Sequence, residues 1–161
     1  MNATPPTAHF DIQDLVQAIA AATVDDPLLQ LTPAQWDRLT PYLQPIALAA
    51  GQLLFKQGAA DRTLYFVESG SVSVHCEDAQ GEVRLARVGA GSAVGEGSFF
   101  SRELRSATVL AAAPARLWCL SPVRFDELTE QRPDLALAVA MAAGAVVAKR
   151  LVTRRRRDAI T

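Results

Sequence analysis

The chain has 161 residues, half of them apolar and a fifth charged, which suits one domain with a substantial core. Its formal charge of −1 hides an asymmetry, because residues 149 to 161 hold six Lys/Arg against one Asp while the rest holds ten against sixteen acids. No Lys or Arg precedes Arg38 and no uninterrupted apolar run reaches the roughly 18 residues of a membrane span, which argues against a secretory signal or a membrane protein and predicts a cytoplasmic location. Cys76 and Cys119 both fall in alternating segments, where a small buried thiol is the ordinary role.

Residues 1–10, with Pro5-Pro6, read as a flexible leader. Ile12, Leu15, Val16 and Ile19 then recur at helical spacing, predicting an amphipathic helix from Asp11 to about Ala22. A second helix is predicted from Thr32, whose hydroxyl can cap it, with Pro33 at the first helical position and Gln35 completing a capping box; Pro41 and Pro45 close this helical segment, residues 11–50. Between Gly51 and Leu120 the period becomes two, in short runs separated by glycines. This predicts a mainly β fold with flanking helices, an eight-stranded jelly roll (double-stranded β-helix) over residues 51–120 with 77 to 81 as a hairpin loop. Residues 121–161 should form C-terminal helices and a basic tail, one helix running from the Ser121-Pro122 cap to about Glu130 and the other from Pro133 to about Arg156.

The last of these is apolar all round from Leu135 to Ala148, so both its sides need cover. Ala136, Ala140, Gly144 and Ala148 form a row of small residues that would let two helices approach closely. A homodimer through Pro133–Arg156 is the corresponding expectation, with burial inside one subunit as the alternative.

The chemistry concentrates between residues 95 and 108, which read Gly-Glu-Gly-Ser-Phe-Phe-Ser-Arg-Glu-Leu-Arg-Ser-Ala-Thr. Glu96 and Arg105 lie nine positions apart around a short apolar turn. A cyclic phosphodiester presents one negative charge and a free ribose 2′-hydroxyl, so its recognition needs a cation and an acceptor, the groups these residues supply. Gly95 would permit close backbone approach, and a helical turn over 96 to 100 would add free N–H groups. Arg105 would open a strand from Ser106 to Leu110. Taken singly, Glu96 could be a surface carboxylate and Arg105 could pair structurally with an acid such as Glu103. Arg102 falls, with Ser101 and Glu103, in the predicted loop and is read as solvated.

This stretch resembles the phosphate-binding cassette of the cyclic-nucleotide-binding domain family, found in catabolite-activator-type bacterial regulators, protein-kinase regulatory subunits and gated channels. The likeness extends to Gly51-Gln52-Leu53-Leu54-Phe55-Lys56-Gln57-Gly58 and to residues 64 to 74, which look like the family's first strands and glycine-marked turns. Roughly residues 30 to 152 are covered. The resemblance implies a cassette over residues 95–107, with Gly95, Glu96, Gly97, Ser98, Arg105, Ser106 and Ala107 as ligand contacts, cAMP or cGMP as the ligand, and no metal or further cofactor. Ser106 leaves the base undecided. Gly97-Ser98 departs from the family pattern, in which an apolar residue commonly follows the Glu; Phe99 and Phe100 would have to anchor the turn. For the base, the lid helix offers Met141, Ala142 and Ala145, all apolar.

The resulting expectation is a cyclic-nucleotide sensor, for cAMP rather than cGMP, that signals to an effector protein by moving its C-terminal helix. The alternative is a degenerate domain of the same type serving as a dimeric adaptor. An enzyme is not expected, because His9 and His75 are the only histidines and no catalytic triad or triphosphate loop is visible. Arg154 to Arg157 are read as a solvated helix end, and without a helix-turn-helix sequence-specific DNA binding is not expected.

Overall fold

The computed structural model describes residues 10–22 and 31–158. Residues 1–9 of the predicted leader, His9 among them, lie outside the described residues, whereas Phe10 packs against the core, its ring edge-on to Trp118 with centroids 6.0 Å apart. Helix α1 (Ile12–Ala21) is capped by Asp11, whose carboxylate accepts from Gln13 N at 2.9 Å, and it buries Ile12 and Leu15. In α2 (Pro33–Leu39) the capping box forms as predicted, Thr32 Oγ1 accepting from Gln35 N at 3.2 Å and Gln35 Oε1 from Thr32 N at 2.9 Å. Its Trp36 stands edge-on to Phe66, with ring centroids 5.4 Å apart.

Eight strands follow: β1 (Gln44–Leu48), β2 (Leu53–Phe55), β3 (Leu64–Ser69), β4 (Ser71–Glu77), β5 (Val83–Gly89), β6 (Ala93–Val94), β7 (Thr108–Ala111) and β8 (Ala115–Leu120). They form two antiparallel four-stranded sheets, ordered β1-β8-β3-β6 and β2-β7-β4-β5. The sequence placed β1 in the helical segment, since Pro45 reads as a helix stop. Pro45 is accommodated because β1 is an edge strand, bonded to β8 alone, the place in a sheet where proline is tolerated. The expected 106-to-110 strand begins later, at Thr108, so Arg105 sits in a loop and not at a strand's opening.

The two faces of β3 define two cores. Leu64 and Phe66 join the helices in one, with Trp36, Leu39, Trp118 and Leu128. Tyr65 and Val67 point between the sheets and meet Val72, Val109 and Leu117. That is why residues 64 to 67 of β3 are an unbroken buried apolar run while β5, at the edge of the second sheet, is largely exposed.

Between β6 and β7 lies the short α3 (Glu96–Ser101), and after β8 come α4 (Pro122–Gln131), capped by Ser121, and α5 (Pro133–Asp158). One face of α5 is core: Leu135, Ala136, Val139, Ala142, Ala143 and Val146 are buried against the barrel and helices. The small-residue row does not lie along one open face. Ala136 is buried and Ala148 exposed, because each four-residue step turns about 40° beyond a full circle. The open seam is instead Leu137, Met141, Gly144, Ala148 and Leu151, at alternating spacings of four and three, with Leu137 and Met141 each about two-thirds exposed. By length and composition Pro133–Arg156 could cross a membrane, with a mean hydropathy of 1.9. The sequence reading expected no such segment; a third of its most apolar window is buried against the rest of the fold.

Candidate functional site

The loop between β2 and β3 builds the seat of Arg105. Gly58 N donates to the carbonyl of Arg105 at 2.8 Å, and Arg105 N donates to the carbonyl of Ala59 at 2.8 Å. The same loop then receives the side chain. Arg105 Nη2 donates to Asp61 Oδ2 at 2.5 Å and to the carbonyl of Thr63 at 2.7 Å, while Nη1 donates to the carbonyl of Gly95 at 3.1 Å and, more weakly, to Ser98 Oγ at 3.4 Å. The guanidinium lies 3.9 Å from the centroid of Phe55, within cation–π range. Its side chain is 1% exposed. Its Nε is buried without a hydrogen-bond partner.

Asp61 also accepts from Thr63 N at 3.0 Å and Thr63 Oγ1 at 2.7 Å. Burial pushes its carboxyl up, but the hydrogen bonds from Arg105 and Thr63 outweigh that and hold it below its ordinary value. Burial, with the charge of Asp61 adding to it, pushes the Tyr65 hydroxyl and the Cys119 thiol up to about 12. Such a thiol is inert at neutral pH.

Gly95 is required twice over. Its φ is +84°, and a Cβ there would stand 2.7 Å from both Arg105 Nη1 and the carbonyl of Thr63. The backbone therefore turns sharply out of β6 and passes directly against the guanidinium. Immediately after it, Glu96 opens α3, and its Oε1 is engaged by Nη1 of Arg150 from α5.

All seven residues predicted as ligand contacts line one cavity. Gly95, Glu96, Gly97 and Ser98 supply the side formed by the β6–α3 turn; Arg105, Ser106 and Ala107 supply the loop leading to β7. Phe55, Val74, Val94 and Val109 form its apolar wall and Arg150 reaches its rim, around some 450 Å³ of empty space that includes the opening to solvent. Two guanidinium groups, of Arg105 and Arg150, and the Glu96 carboxylate thus face a recess of mixed polar and apolar lining, an arrangement suited to a small polar anion with an apolar portion.

Several expectations need correction. Arg105 pairs with Asp61, 44 positions away, and not with Glu103. Phe99 packs against the helical core and stands 4.9 Å from Phe125, but Phe100 is 44% exposed and anchors nothing. Met141, Ala142 and Ala145 do not line the cavity; α5 contributes Arg150. Arg102 is exposed at the C-terminal cap of α3, as expected for a solvated residue. Asp61, Thr63, Phe55 and Arg150 were missed. Of these only Asp61 left a local trace, in the polar Asp61-Arg62-Thr63 turn beside Gly58.

Comparison with known proteins agrees with this architecture. The family model for the cyclic nucleotide-binding domain matches residues 45–132, and the chain belongs to that family. The crystal structure of a cyclic nucleotide-binding domain from Methylobacillus flagellatus shares the fold, with a TM-score of 0.79 at 21% identity over 91% of this chain and 81% of that one. Among curated relatives, the cAMP-dependent protein kinase regulatory subunit of Blastocladiella emersonii is 34% identical over 82 residues, 50% of this chain and 20% of the relative. A cyclic nucleotide-gated potassium channel of Rhizobium etli is 32% identical over 128 residues, 77% of this chain and 34% of the channel. The chain therefore spans about a fifth and about a third of the length of these two curated relatives.

Proposed function

We propose that this chain is a regulatory module that binds a cyclic nucleotide, cAMP in preference to cGMP, and passes the occupied state through α5 to a partner protein. The observation that carries this is the buried Arg105 guanidinium at the cavity, whose Nε–H lacks an acceptor while Glu96 lies on the neighbouring turn. A buried unpaired donor costs roughly 1–3 kcal/mol, and an anion entering the recess would supply its acceptor. Arg105 and the cassette amides hold the phosphate, with Glu96 and Gly95 at the ribose; Gly97, Ser98, Ser106 and Ala107 complete the wall. The preference for cAMP is supported by likeness to a regulatory subunit named for that nucleotide.

The exposed seam of α5 supports a homodimer in which two such helices pair, since apolar residues at alternating spacings of four and three suit a second helix. The module acts in the cytoplasm, on an effector protein that reads the position of α5.

A second reading, a dimeric adaptor that binds no nucleotide, is favoured by one observation: Arg105 and Glu96 already have internal partners in Asp61 and Arg150. Calorimetric titration of the unmodified protein separates the two. Saturable heat with cAMP or cGMP is the result expected of the module; silence with both would leave the adaptor.

A further inference from the structure

Arg150 is the one polar side chain that α5 sends to the cavity. Besides its pairing with Glu96 through Nη1, its Nη2 donates to the carbonyl of Ala93 at 2.5 Å and to Ser92 Oγ at 3.3 Å. The guanidinium therefore bridges the start of β6 and the first residue of α3, spanning the Gly95 turn. Both partners are largely shielded, Arg150 at 27% and Glu96 at 17% exposed. Among the described residues only Oε1 of Glu96 is engaged. A carboxylate offers about four acceptor directions over two oxygens, so Oε2 keeps its capacity.

We infer that Arg150 is a positioning residue for ribose recognition: it fixes Glu96 by one oxygen, leaves the other for the 2′-hydroxyl, and thereby fastens the end of α5 to the sugar site. This rests on the pocket taking a cyclic nucleotide. A free glutamate side chain must lose rotamer freedom on meeting a ligand, whereas one already held in a fork loses little. The planar guanidinium matters, because it reaches a carboxylate with one nitrogen and a carbonyl and a hydroxyl with the other; an ammonium has the charge without the fork. The coupling must also be reciprocal. A sugar that draws on Glu96 strengthens the hold on the helix end, and loss of that hold weakens recognition of the sugar.

The test compares cAMP with 2′-deoxy-cAMP by calorimetry on the unmodified protein, Arg150→Gln and Arg150→Lys, with amide exchange followed over residues 147 to 153. Arg150→Gln should weaken cAMP about 10-fold, the loss of one hydrogen bond to a charged group, but 2′-deoxy-cAMP less than about twofold, so that the preference for the hydroxylated sugar collapses. Arg150→Lys should fall between, and serves as the working variant if the glutamine form does not fold. Bound cAMP should slow exchange over 147 to 153 in the unmodified protein and fail to do so in Arg150→Gln. Equal weakening of both nucleotides, or tighter cAMP binding in Arg150→Gln, would overturn the inference while leaving nucleotide binding intact. An unmodified protein that binds neither nucleotide would remove the functional reading and the inference together.

Discussion

Arg105 Nη2 lies 2.5 Å from Asp61 Oδ2, joining the cassette to the β2–β3 loop across 44 residues of chain, with the arginine fully enclosed and the aspartate 38% exposed. An enclosed guanidinium needs a counter-charge. Asp61 provides it from the β2–β3 loop, so the protein can keep a cation buried there before any anion arrives.

Replacing Arg105 by Ala should weaken cAMP binding by about 2–5 kcal/mol, the range for truncating a buried hydrogen-bonded charge, or about 30-fold to several thousand-fold. Arg102→Ala, at an exposed cap, should change it less than about twofold, as surface substitutions do. Calorimetry on the two variants side by side checks the assignment; an unchanged affinity in Arg105→Ala would refute it.

The Asp61 carboxyl has a lowered pKa when folded, so its contribution to stability is fully present above the ordinary value of about 3.9 and is lost as pH falls through the lowered folded value. Asp61→Asn should therefore be less stable than the unmodified protein at pH 7, and the gap should close on acidification below about pH 4. Thermal unfolding midpoints between pH 7 and pH 3 measure it. A gap that stayed constant across that range would mean the charge of Asp61 is not what holds Arg105.

Two glycines of the cassette should respond in opposite directions. Gly95→Ala places a Cβ at φ +84° and 2.7 Å from Arg105 Nη1, costing about 1–2 kcal/mol in backbone alone and displacing the guanidinium, so both unfolding midpoint and nucleotide affinity should drop. At Gly97, inside α3, a Cβ meets nothing within 4 Å. Gly97→Ala should stabilise the fold by up to about 1 kcal/mol, read from denaturant midpoints.

Met141→Glu alters the open seam of α5 at a position 68% exposed. Sedimentation should show a dimer of the unmodified protein shifted to monomer, while the monomer's unfolding midpoint stays within about 0.5 kcal/mol of the original. Ala143→Glu, on the buried face, should instead destabilise the subunit itself. A protein that sediments as a monomer before any substitution would exclude pairing through this helix.

Much of the fold was legible because its signals are local. The Thr32–Gln35 capping box, the Ser121 cap, the change of period near Gly51 and the glycine-marked turns each involve residues within four positions of one another. The cassette is a short stretch of chain as well, and its two runs, 95–98 and 105–107, reach one cavity because a single turn and a single loop carry them. β1 was missed for a related reason. Pro45 carries the same local signal whether it ends a helix or sits on a sheet's edge, and only the strand order distinguishes these.

From residue order alone came the barrel, its flanking helices, and a cation and an acid in one recess, since short-range periodicity and chain connectivity dictate them. Folding decided who holds those two charges. Asp61 meets Arg105 and Arg150 meets Glu96 across 44 and 54 positions, and the open seam of α5 is whatever the barrel leaves uncovered. Such pairings arise from how separate elements pack, and no spacing along the chain encodes the distance between them.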